Sequence, residues 1–297
     1  MEFCSDCVRN CRVRRPVSLK SDGQYGFCRC PQNPVIARAS LHPWEEPCIS
    51  GTNGSGTVFF SGCNLKCVFC QNYEISTEMQ GREVTVERLR EIYFELIGQG
   101  AHNINLVTPG HYTGAILRSL AEPLPVPVVY NTNGYDSCET LRRLEGKIQI
   151  YLPDFKYSDN TLAEKYSRAP HYFETASAAV HEMFRQCGPY EIGEDGIMRK
   201  GVIIRHLLLP GQVENTLRII DFVKENFRPG EVLFSLMRQY IPHGNTASFP
   251  ELSRTVTDEE YETVEEYLFD SGIEDGFVQD EESASGDFIP EFDCRGV

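Results

Sequence analysis

The feature that most constrains this chain is an alternation that begins at residue 57. Six short apolar runs recur: "TVFFSG" (57–62), "NINLVT" (103–108), "VPVVYN" (126–131), "IQIYLPDF" (148–155), "GVIIRHLLL" (201–209) and "EVLFSLM" (231–237). They are apolar at consecutive positions, as parallel strands buried on both faces are. Between them lie helical patterns. "TVERLREIYFELIGQG" (85–100) carries apolar residues at helical spacing and ends on Gly100, which suits a C-cap. "GAILRSLAE" follows the second run, and "DSCETLRRLEG" follows the third with Asp136 expected to cap it. The long fourth connection contains "HYFETASAAVHEMFRQCG", and "QVENTLRIIDFVKENF" follows the fifth run. "TDEEYETVEEYLFDSG" follows the sixth, opening on a Thr/Asp cap and closing on Gly272.

Six strands alternating with helices predict an α/β fold with a parallel sheet. Six units are too few for a closed eight-stranded barrel. The expected architecture is a partial (β/α)6 TIM-like barrel over 51–272, with a small Cys-rich metal-binding segment at 1–50 and an acidic tail at 273–297. Phe288, Ile289 and Phe292 are the residues expected to fold that tail back. No apolar run approaches the ~20 residues of a membrane-spanning helix. The start, "MEFCSDCVRNCRVRR", lacks the apolar core of a secretory signal. The expectation is a cytoplasmic protein without a membrane partner. The net charge of −15 argues against nucleic acid, whose nonspecific binding depends on neutralising phosphates. The short basic stretch from Arg9 to Lys20 reads as solvated surface.

Twelve cysteines in a reducing compartment point to metal binding or thiol chemistry more than to disulfides. Cys138, Cys187 and Cys294 stand alone and read as packing residues. In "SGCNLKCVFCQN", Cys63, Cys67 and Cys70 are spaced C-x3-C-x2-C just after the first run. Functional groups of βα barrels collect where strands end. A [4Fe–4S] cube normally takes four thiolates, and three would leave one iron open to N and O donors. The alternative is structural zinc with a fourth ligand from elsewhere.

The motif, with Phe69 before its third cysteine, resembles that of the radical S-adenosylmethionine (SAM) enzymes. More closely, the chain resembles an uncharacterised branch like the pyruvate-formate-lyase-activating enzymes. The segments that carry the likeness extend from about residue 40 to 290. They include "EEPCISG", "NLVTPGHY", "VVYNTNGYDS", "YLPDFKY", "IIRHLLLPG" and "SLMRQYIP". The resemblance implies a [4Fe–4S] cluster whose open iron is chelated by SAM. It also implies reductive cleavage to a 5′-deoxyadenosyl radical, and hydrogen abstraction from a substrate. An electron donor of the flavodoxin or ferredoxin type and a glycyl-radical enzyme as partner follow from it, with a small molecule or peptide as the other substrate classes. A non-enzymatic metal-binding module is the competing class.

Each strand end offers candidates for SAM. Many relatives carry a Gly-Gly-Glu stretch after the second strand, whereas this chain has "TPGHY", leaving Thr108, Gly110 and His111; His111 reads equally as a turn residue. Asn131 stands where the activases have an acid, which puts their cation site in doubt. Asn133 suits a SAM contact or an Asn-Gly turn. Asp154 and Lys156 have period-two spacing and face one way; they read as SAM contacts or as an ion pair. Arg205, Gln239 and Tyr240 come from the fifth and sixth strand ends. In the N-terminal segment, Cys4, Cys7 and Cys11 with Cys28 form a set for zinc or a second iron–sulfur cluster. Cys30 is spare and Cys48 has no role assigned. So short a segment has too little core to fold without such a staple. Trp44 is expected to pack it onto the barrel.

Overall fold

The computed structural model describes residues 3–280, 283 and 289–297. Ten strands form among them: β1 (Val35–His42), β2 (Ser55–Phe60), β3 (Arg82–Glu83), β4 (Ile104–Val107), β5 (Val128–Thr132), β6 (Ile150–Pro153), β7 (Glu191–Ile192), β8 (Met198–Leu207), β9 (Leu233–Met237) and β10 (Gly276–Val278). One sheet runs β10-β9-β8-β6-β5-β4-β2-β1-β3, with β7 beside β8. The path from β2 through β4, β5, β6 and β8 to β9 is parallel throughout, so the six expected strands are present in a sheet that does not close. β10 adds a seventh parallel strand beyond β9.

Side chains alternate across each strand. Leu106, Tyr130, Tyr151, Ile204 and Phe234 face outward into the main core with helix residues such as Leu89, Ile92, Val180, Ile219 and Val264. Val129, Ile150, Leu152, Ile203 and Leu233 form a separate inner cluster. Into it fits a short helix, α1 (Pro47–Ser50), through Cys48 and Ile49. α1 therefore plugs the lumen below the residues that point inward near the strand ends. This gives Cys48 a packing role.

Strand β1 was not anticipated. It comes from the Cys-rich segment and runs antiparallel to β2. The helix Cys138–Arg143 is capped by Ser137, whose hydroxyl accepts from the Thr140 amide. Asp136 is not the cap, because its buried carboxylate accepts instead from Tyr130 Oη at 3.0 Å and Thr132 Oγ1 at 2.5 Å. The final helix, Asp258–Ser271, has the expected start and stop. Thr257 and Glu260 form a capping box, and Gly272 is left-handed.

The N-terminal segment docks through arginines. Arg9 Nε donates to Asn64 O at 2.8 Å, and Arg15 Nη1 donates to His111 O at 2.7 Å. Trp44, expected to do this packing, is 59% exposed at the rim of a cavity. The tail returns along β1. The Ala39 amide donates to Arg295 O, the Cys294 amide donates to Ala37 O, and Phe292 meets Phe59 edge-on at 5.6 Å. Phe288 lies outside the described residues. Among the described residues, no helix is long and apolar enough to cross a membrane.

Candidate functional site

The C-terminal ends of the six parallel strands surround a cavity of about 230 Å3. Cys63, Cys67 and Cys70 supply one wall, on the loop that follows β2. The loop begins at Gly62, with φ at +82°, a conformation side chains resist. Cys63 is buried and Cys67 and Cys70 are half-buried, and desolvation raises their pKa values, to about 11 for Cys63 and about 12 for Cys67. Each sulfur nevertheless receives a donor. Leu65 N and Asn133 Nδ2 stand 3.3 Å from Cys63 Sγ, Ser167 Oγ 3.0 Å from Cys67 Sγ, and Ser76 Oγ 3.3 Å from Cys70 Sγ. Lys66 and Lys156 act on this wall with positive charge that favours thiolates. Three soft donors with hydrogen bonds to their sulfurs fit an iron–sulfur group.

The opposite wall is charged. Lys156 Nζ lies 2.7 Å from Asp154 Oδ2, and Arg205 Nε lies 2.9 Å from Asp154 Oδ1. Burial alone would raise the Asp154 carboxyl, but Arg205 and Lys156 outweigh it and hold the group below the usual range. Asp154 in turn keeps Lys156 charged against its burial. Arg205 also donates to Asn131 Oδ1 at 2.8 Å and Glu45 Oε2 at 3.0 Å.

The structure brings Thr108, Asn133, Asp154, Lys156, Arg205 and Gln239 to the cavity with the three cysteines. Thr108 is held at φ +56°, a strained conformation for a β-branched residue. Gly110 and His111 do not line the cavity. Gly110 packs on Asp136 and Tyr130, and His111 is buried with Nε2 2.9 Å from Ser61 O. Tyr240 is also turned away, its hydroxyl donating to Leu252 O. The sequence reading missed Glu45, His42, Gln71 and Ser76, which also form the lining. Glu45 precedes the first counted strand; it opens the segment "EEPCISG" that carries part of the resemblance, but no role followed from that.

Cys4, Cys7, Cys11 and Cys28 come close enough to affect one another. Burial pushes the Cys7 thiol up to about 12, with Cys28, Cys4 and Cys11 adding to it. Cys28 is lowered to about 6 by a hydrogen bond from Cys30. Among the described residues, no three His, Cys, Asp or Glu side chains are grouped as a metal ion requires, at these four cysteines or at Cys63, Cys67 and Cys70, and a second metal centre is not shown.

A family model described as the radical SAM superfamily matches residues 57–223. An uncharacterized protein of Methanocaldococcus jannaschii is 29% identical over 269 residues, covering 87% of this chain and 72% of that protein. SuiB of Streptococcus suis bound to S-adenosylmethionine is similar in fold, with a TM-score of 0.50 at 14% identity over 73% of this chain and 48% of SuiB. Another SuiB structure gives 0.50 at 13% identity, over 81% of this chain and 49% of SuiB. This chain therefore spans about half the length of SuiB.

Proposed function

The chain belongs to the radical SAM superfamily, and from that premise we propose that it uses Cys63, Cys67 and Cys70 to hold a [4Fe–4S] cluster with one iron left for SAM. Enzymes of this superfamily cleave SAM for radical chemistry. The observation that carries the reading is the wall of three hydrogen-bonded thiols facing the Lys156–Asp154–Arg205 charges across one cavity. A cluster held by these three thiolates would, once reduced by an external donor, supply one electron for the reductive cleavage of SAM. The residues around it do the rest. Asn133, Ser76 and Ser167 direct hydrogen bonds at the sulfurs. Lys156 and Asp154 offer opposite charges to the carboxylate and amino groups of SAM. Thr108 and Gln239 bound the remaining volume and exclude water.

The substrate we favour is a partner protein that stores a glycyl radical, on the strength of the segments resembling activating enzymes. A small-molecule substrate is the second reading. It is favoured by the cavity's size and by Ile289 and Pro290 of the tail standing in its lining. We read Cys4, Cys7, Cys11 and Cys28 as a second thiolate site for an iron–sulfur cluster or zinc, reductant delivery as the task of a flavodoxin- or ferredoxin-type protein, and the cytoplasm as the compartment.

The test is anaerobic. Cluster-loaded, reduced protein is expected to convert SAM to 5′-deoxyadenosine, and Cys63→Ala, Cys67→Ala or Cys70→Ala each to bring the rate to background. Loaded wild type without turnover, or a cysteine variant that keeps it, overturns the assignment. A glycyl-radical signal in an added partner separates the first substrate reading from the second.

A further inference from the structure

We propose that Glu45 is a positioning residue for the cofactor-binding charges, acting through Arg205; the proposal rests on the reading of this cavity as a SAM site. Glu45 sits between β1 and α1, outside the 57–223 span of the family match. The turn into the α1 plug carries it into the lumen, where both carboxylate oxygens are used. Oε1 accepts from Asn105 Nδ2 at 3.0 Å and Asn131 Nδ2 at 3.1 Å, and Oε2 accepts from Arg205 Nη1 at 3.0 Å. These donors come from β4, β5 and β8, so one side chain ties three strands of an unclosed sheet.

From Arg205 the charges alternate in sign: Glu45, Arg205, Asp154, Lys156. Their side chains are 8%, 13%, 17% and 15% exposed. Charges buried to this degree interact strongly, and removing one partner strands the next. With Glu45 neutral, Asp154 is left as the carboxylate hydrogen-bonded to both Arg205 and Lys156. Arg205 then draws it from Lys156, the end of the chain whose charge reaches Cys67 and Cys70. Glu46 also acts on Arg205 by its charge but makes no hydrogen bond to it. It lies 3.9 Å from Arg205, its Oε2 has no hydrogen-bond partner, and burial favours its uncharged form.

The experiment is a cycle of Glu45→Gln, Arg205→Gln and the double variant. SAM affinity of the cluster-loaded proteins is measured by calorimetry. Glu45→Gln is expected to weaken SAM about tenfold, equivalent to about 1.4 kcal/mol. In the Arg205→Gln background the same change is expected to cost less than a further twofold, because its route is already cut. A Glu45→Gln protein within twofold of wild type overturns the proposal, as do two penalties that simply multiply. A second readout needs no cluster: Lys156 in Glu45→Gln is expected to gain at least fivefold in reactivity toward an amine-modifying reagent, with Lys66 unchanged. Equal labelling of Lys156 in both proteins counts against the proposal, and decides the matter should the variant fail to load its cluster. Wild type that loads but binds no SAM defeats the function reading instead, and the labelling still tests the Glu45 linkage.

Discussion

Asp136 shows how a single side chain can be read correctly as polar and wrongly as to its partner. In the sequence it precedes a helical pattern, which is where caps belong. In the fold it turns inward to Tyr130 and Thr132 beneath the loop that carries Asn133, and Ser137 takes the cap. Burial raises its carboxyl to about 6, the two hydroxyl donors opposing. The folded state thus binds a proton more tightly than the unfolded chain, whose value is the ordinary 3.8. This group's contribution to stability is full below pH 4, declines as pH rises toward 6, and is flat beyond. A shift of about two units corresponds to about 3 kcal/mol. Asp136→Asn is expected to flatten that part of the stability curve between pH 4 and 6, measured by urea unfolding at each pH; an unchanged slope would count against the assignment. Residues whose place in the cavity follows from strand-end position, such as Asp154, Lys156 and Arg205, were legible. Residues whose role is set by a distant partner were not: Glu45 needs Arg205, and Ser167 needs Cys67.

Among elements, the six parallel strands were readable because burial on both faces leaves a continuous apolar run. β1 carries Arg38 and Ser40 within it and so gave no such run, and three-residue β10 is too short to give one. The loop after β2 is the element on which the site depends. Gly62 begins it in a left-handed conformation, and a Cβ there would run into Cys30 Sγ and stand 3.0 Å from Cys28 O. The loop after β2 and the N-terminal cysteines are thus packed backbone to side chain at this point. Gly62→Ala is expected to destabilise by about 2 kcal/mol or more, through strain and overpacking together. Thermal unfolding checks this, and a melting temperature within a degree of wild type would contradict the packing described.

At the scale of the molecule, the open barrel gathers one cavity from His42 to Pro290, most of the chain's length. Fold class could be inferred locally, since each βα unit repeats the same physics. How the lumen is filled could not. The plug α1 leaves no periodic trace, whereas the return of the tail was marked in the sequence by Phe292. The whole arrangement has a purpose only if the three-thiolate wall leaves a metal position for a ligand that is not protein. Electron paramagnetic resonance of the reduced, cluster-loaded protein, recorded with and without SAM labelled on its amino nitrogen, tests this most directly. SAM is predicted to change the cluster signal and to couple its labelled nitrogen to the iron. A signal that SAM leaves unaltered, from a cluster already bound by four side chains, would contradict it.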